Sequence, residues 1–180
     1  MDGLTIIMDK EPNQLAEDGK RAFAAGRYAE AARLFAEASA GFTSASDSLQ
    51  AAEMDNNRSV ALLKANQPGQ ALDAAAGTDK VFESYADVKK QAMALGNQAA
   101  ALEALKRYAE ALPLYERAAE LFEQTSERDM RSLVLQSVAG IRLKQGKLSD
   151  AGMEMLGSLG AVEKPTLMQR ILKFLLRFKP

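Results

Sequence analysis

The 180-residue sequence has no cysteine, no histidine and no tryptophan, and only five prolines. Without cysteine there is no disulfide framework, no thiolate nucleophile and no thiolate-held zinc. Without histidine there is no imidazole base and no Cys/His metal site. A Gly-x-x-x-x-Gly-Lys phosphate loop is missing as well, so no cofactor is expected. Long hydrophobic runs are also lacking, and nothing approaches the roughly 18 apolar residues that span a bilayer. Residues 1–10 hold a short apolar patch at 4–8, flanked by Asp2 and Asp9 where an export signal would want positive charge. No export is expected from this pattern, and a cytoplasmic location is; the lack of cysteine agrees with a reducing compartment.

What is present favours helix. The chain is 47% hydrophobic and 26% charged, and it is rich in Ala, Leu, Glu, Lys, Arg and Gln, the strong helix formers. Its charge is unevenly placed. Beyond Glu163 stand Lys164, Arg170, Lys173, Arg177 and Lys179 with no acid, which leaves 18 basic against 24 acidic residues before them. An acidic body repels phosphate backbones, and no basic stripe interleaved with aromatics occurs, so no nucleic-acid partner is expected.

A repeat organises the chain. Arg27-Tyr28-Ala29-Glu30-Ala31, Gln67-Pro68-Gly69-Gln70-Ala71, Arg107-Tyr108-Ala109-Glu110-Ala111 and Lys147-Leu148-Ser149-Asp150-Ala151 end in alanines 40 residues apart. The columns Phe35, Ala75, Tyr115, Met155, then Ala38, Thr78, Ala118, Ser158, then Phe42, Phe82, Phe122, Val162 keep that register. Spacings of four, three and four put each set on one helix face. A second apolar-patterned stretch precedes each of these helices, as at 15–25 and 95–105, closed by a turn containing Gly26, Asn66 or Gly146. Ser44-Ala45-Ser46-Asp47 and Ser84-Tyr85-Ala86-Asp87 read as capping boxes. The unit is therefore helix, turn, helix, cap, and one such hairpin can bury its apolar face only by stacking on its neighbours.

With Gly19, Tyr28, Ala31, Phe35 and Ala38, and again Ala99, Tyr108, Ala111, Tyr115 and Ala118, the sequence resembles the tetratricopeptide repeat family over roughly residues 12–162. Its 40-residue unit is similar to the longer-helix variety of bacterial regulators and vesicle-fusion adaptors. The second unit departs at Pro68 and Ala75, and the fourth at Leu148 and Met155. The resemblance implies an all-α, right-handed solenoid of about four helical hairpins (about 12–51, 52–91, 92–131 and 132–162). An N-terminal extension (1–11) precedes it and a basic amphipathic C-terminal helix (163–180) follows. It also implies a protein-binding adaptor or scaffold of bacterial type whose first helices line a concave groove.

On that reading the groove carries Glu17, Lys20, Asn57, Lys64, Asn97, Ser137 and Lys144. Asn57 and Asn97 fall in the column where similar repeats hydrogen-bond a peptide backbone, a task suited to an amide that both donates and accepts; solvation or inter-helix bonding is the alternative. Gly96, Ala100 and Gly140 either let a ligand approach the helix backbone or serve helix packing. The family's carboxylate clamp for chaperone C-termini is not expected. Only its second-unit asparagine is present, as Asn57, and the other four positions hold Ala16, Lys20, Met93 and Asn97.

In the tail, Leu167, Met168, Ile171, Leu172, Phe174, Leu175, Leu176 and Phe178 form a broad apolar arc opposite Arg170, Lys173 and Arg177. This helix either caps the last repeat or docks on a membrane surface, a partner or a second copy; Arg170, Lys173, Phe174, Arg177 and Phe178 are its candidate contacts. Apolar surface at either solenoid end leaves homo-oligomerisation open. Carboxylate clusters such as Glu17-Asp18 and Glu127 with Asp129 read as solvated faces and helix-start charges. No enzymatic activity is expected.

Overall fold

Left-handed backbone conformations recur every 20 residues in the computed structural model, which describes residues 11–146. They fall at Gly26, Ser46, Asn66, Ala86, Lys106, Ser126 and Gly146, with φ between 55° and 75°. At each of the first six, two backbone bonds close the preceding helix. At Ser46, for example, the Ser46 N–H donates to Thr43 and the Asp47 N–H to Phe42. This double closure satisfies the carbonyls that a helix end leaves unpaired. The next residue begins the following helix, so three residues suffice to reverse the chain.

The described residues form eight helices: α1 (Pro12–Ala24), α2 (Tyr28–Ser44), α3 (Ser48–Lys64), α4 (Pro68–Ala75), α5 (Thr78–Ser84), α6 (Val88–Ala104), α7 (Tyr108–Gln124) and α8 (Arg128–Lys144). The fold is all-helical, with no strand among the described residues. Five of the eight helices are 17 residues long. Turns within a hairpin and turns between hairpins are therefore equivalent, a 20-residue half-period inside the 40-residue repeat.

The capping signatures mark the right boundaries with different roles. Asp47 and Asp87 are the N-caps, accepting from the backbone N–H of Gln50 at 3.1 Å and of Lys90 at 2.9 Å. Ser44 and Ser84 end the preceding helices, and their hydroxyls donate back to Ala40 and Val81.

The repeat columns are the core. Ala31, Ala71 and Ala111 are fully buried, as are Ala38 and Ala118, with Phe42, Phe82 and Phe122 beyond them. In the first helices the facing column is Gly19, Ser59, Ala99 and Ala139, all small and all buried. Small residues on both sides let the helices of a hairpin approach closely, and the larger side chains fill the space beyond. Ser59 fits because its hydroxyl donates to the Ala71 carbonyl at 2.8 Å, tying α3 to α4.

The second hairpin differs from a uniform repeat. Its second helix breaks between α4 and α5 at Gly77, whose φ of 77° requires the left-handed region that glycine enters without strain. The break frees the Ala75 carbonyl, which accepts from the Thr78 hydroxyl at 2.8 Å and from Gln98 Nε2 at 3.1 Å. Gln98 also donates to Asp79 at 2.9 Å, so a buried polar cluster stabilises the interruption.

The chain divides at this point into two compact units, one ending at Ala74 and the other beginning at Ala75. In the first, α1 packs on α2 and α2 on α3; in the second, α5 packs on α6, α6 on α7 and α7 on α8. The second helix expected for the fourth repeat and the candidate tail contacts Arg170, Lys173, Phe174, Arg177 and Phe178 fall outside the described residues. Among the described residues no helix is long and apolar enough to cross a membrane.

Candidate partner-binding faces

Each unit presents its first helices on one side of a second helix. In the first unit α1 and α3 flank α2, and between them lies an open hollow of about 340 Å³ lined by Lys20, Phe23, Phe35, Glu53, Asn57 and Val60. Phe35 is sunk into the core at 2% exposure. The Phe23 ring is braced edge-on against Tyr28, with centroids 5.3 Å apart. Of the sequence-derived candidates, Lys20 and Asn57 meet in this hollow. Glu17 pairs with Lys20 at 2.8 Å beside it, and Lys64 is exposed near the end of α3. Ala16 and Asn56, one column over, are buried and line no accessible surface.

In the second unit α6 and α8 lie side by side. Lys89 meets Glu127 at 2.5 Å at one end, and Glu103 meets Lys144 at 3.0 Å at the other. Lys144 also sits over the Tyr108 ring, 5.5 Å from its centre. Between them the Tyr115 hydroxyl donates to Glu103 at 3.1 Å and hydrogen-bonds Ser137. Burial pushes the Tyr115 phenol well above its ordinary pKa, so it stays neutral. Glu103 raises the pKa of Lys144. Ser137 and Lys144 are thus joined in one polar network, and Asn97 is half-buried on α6.

Gly96 and Gly140 differ from Gly19 in their surroundings. A Cβ built at either would meet nothing within 4 Å among the described residues, so packing among those residues does not require glycine there. Among the described residues the helix backbone at both positions is uncovered on the side where a Cβ would stand.

Phe23, Phe35, Val60, Glu103 and Tyr115 were not among the sequence candidates. Phe35 and Tyr115 read as core alone, because their column is apolar. Phe23 and Glu103 occupy the same register position, and that apolar-to-charged change was the available signal. Among the described residues no cluster of three or more acidic, histidine or cysteine side chains could hold a metal.

Helices mostly 17 residues long, joined by short turns and packed in sequential pairs, define a helical-repeat architecture. Residues 90–151 match the family model described as Tetratricopeptide repeat, which supports a repeat of that kind in this stretch. Repeats of this family are non-catalytic scaffolds that mediate protein–protein interaction. No curated protein matches the chain.

Proposed function

We propose that this protein is an adaptor or scaffold in complex assembly or regulation, without catalytic activity of its own. It holds a peptide or helix of a partner protein against the first-helix faces, α1 with α3 in one unit and α6 with α8 in the other. The observation that carries this reading is the open backbone at Gly96 and Gly140. Each glycine inside a helix costs about 0.5–1 kcal/mol relative to alanine, and close approach of another chain gives that cost a purpose. Asn57, at the hollow, supplies an amide that can both donate to and accept from an extended backbone. Lys20 is held by Glu17, and the multiple basic donors that a terminal carboxylate needs are not assembled around it. Chaperone C-termini are therefore not the partner.

Pulling partners from lysate with the intact protein and with an Asn57→Ala, Asn97→Ala variant tests the reading. Loss of specific partners supports it, and equal recovery of the same partners ends it. A second reading rests on the apolar and basic arcs of residues 163–180: attachment of a cytoplasmic scaffold to anionic membrane through the tail. Co-sedimentation with anionic vesicles that disappears on removing residues 165–180 would favour it.

A further inference from the structure

The hollow of the first unit has a counterpart in the repeat register of the second, and the two are built differently. Eighty residues on from Lys20, Phe23, Phe35, Glu53, Asn57 and Val60 stand Ala100, Glu103, Tyr115, Leu133, Ser137 and Gly140. In the second unit this position is crossed by polar bonds, from Ser137 to Tyr115 to Glu103 to Lys144. In the first unit Phe23 and Phe35 stand where Glu103 and Tyr115 would be. Neither ring carries a polar atom, no such chain can form, and the space between α1 and α3 stays open.

We propose that this hollow is an anchor pocket for one uncharged apolar side chain, aromatic or leucine, of the partner's bound segment. The proposal deepens the adaptor reading above and rests on it. The floor is Phe23, Phe35 and Val60, and the rim holds one cation, Lys20, and one anion, Glu53. Lys20 is already paired with Glu17 and Glu53 is engaged as well, so over an aromatic floor a charged side chain meets no free counter-ion to offset its lost water, whereas an apolar one gains by burial. The volume of about 340 Å³ lies at the lower end of the range of ligand pockets, about 300–1,000 Å³. The floor is also rigid beforehand: Phe23 is braced by Tyr28, and Phe35 is packed down on Gly19. Little ordering is left to oppose binding.

The test uses side-chain mimics and the full chain. Indole, p-cresol and isobutanol are titrated while the backbone amide signals of positions 57 and 60 are followed by NMR, with butylammonium and glutarate as charged counterparts. The expected result is a saturable shift at Val60 with a dissociation constant on the order of 1 mM for indole. The charged probes should bind at least tenfold more weakly. Val60→Phe fills the hollow and Phe23→Glu places the second unit's residue on its floor; each should weaken indole at least tenfold. Melting curves establish that each variant folds, and either folded variant suffices. No saturable shift at Val60, equal binding of the charged probes, or unchanged indole affinity in a folded variant overturns the proposal. If indole fails while Asn57→Ala, Asn97→Ala still loses partners, the pocket alone is wrong. If indole binds selectively while that variant keeps its partners, the groove reading is wrong, and the hollow binds an apolar group without serving as a partner's anchor.

Discussion

Phe35 lies so close to Gly19 that a Cβ built on the glycine would stand 2.8 Å from ring atom Cε1 and 2.9 Å from Cδ1. The register equivalent of this pair is Ala99 with Tyr115, so the glycine belongs to the first hairpin in particular. Glycine-to-alanine changes should therefore split by position. Gly96→Ala and Gly140→Ala meet open space and should each stabilise by about 0.5–1 kcal/mol through helix propensity. Gly19→Ala gains the same propensity but must displace a buried ring, an overpacking cost of about 1–3 kcal/mol, and should come out destabilised. Urea midpoints of the three variants check this. An equal gain at Gly19 would show that the Phe35 contact does not hold the glycine in place.

The turns suggest a second set of variants. Ala86 and Lys106 adopt φ of 55° and 61°, a region that costs a side-chain-bearing residue about 1–2 kcal/mol. Their backbone N–H groups close the helix ends by donating to Glu83 and Glu103, so the conformation is held by the turn. Ala86→Gly and Lys106→Gly should each raise stability by about 0.5–1 kcal/mol, the strain relieved less the added freedom of the unfolded chain. Thermal melts of the single and double variants test it, and the two gains should add because the sites lie in separate turns.

The 40-residue register was legible because burial forces it: the columns through Ala31, Phe35, Ala38 and Phe42 sit inside, and core positions write themselves as apolar periodicity. The 20-residue half-period was not legible. Its αL positions are Ser46, Ala86, Lys106 and Ser126 as readily as Gly26 and Gly146, since backbone bonding enforces the conformation and no residue type announces it. The helix break had a faint signal, Gly77 followed by Thr78 two residues after an alanine replaces the column's aromatic. Recognising it needs Gln98 of another helix to satisfy Ala75. The hollow was illegible for a similar reason: it depends on how deep the Phe35 ring sits, which Gly19 sets from a different helix. Glu17, Lys20 and Lys144 were visible as groove charges, but the pairing of Lys20 with Glu17 and of Lys144 with Glu103 was not.

Pro113 lies inside α7, at the register position held by Arg33 in α2 and Asp73 in α4. Proline there cannot donate the backbone bond to Ala109, and its ring crowds that carbonyl. The side chain is exposed, so nothing in the core requires it. Pro113→Arg, copying α2, should stabilise the protein by about 1–3 kcal/mol. Native-state hydrogen exchange should show the gain in α7 amides. An unchanged or lowered stability would mean that the helix has adapted its neighbours to the proline.

Asp55 stands in a column whose other members are Leu15, Leu95 and Leu135, each buried at 6–8% exposure. Burial raises its carboxyl pKa, opposed by a hydrogen bond from Ser39 and by the charge of Arg58. A carboxyl with a raised folded pKa binds its proton more tightly in the folded protein. Its favourable contribution is therefore fully present below the unfolded value near 3.8 and is lost as pH rises through the folded value. At neutral pH Asp55 thus weakens the fold, and Asp55→Leu should be more stable than the native sequence by about 1–2 kcal/mol through restored apolar burial. That advantage should shrink as pH falls from 7 toward 4 and Asp55 takes up its proton. The comparison must be a difference between the two proteins. Glu83 and Glu110, whose pKa values are lowered by Lys80 and Arg107, lose their contributions on acidification in both alike. A stability difference that is flat across this range, or one that widens in acid, would show that the Asp55 carboxyl is not desolvated between α2 and α3.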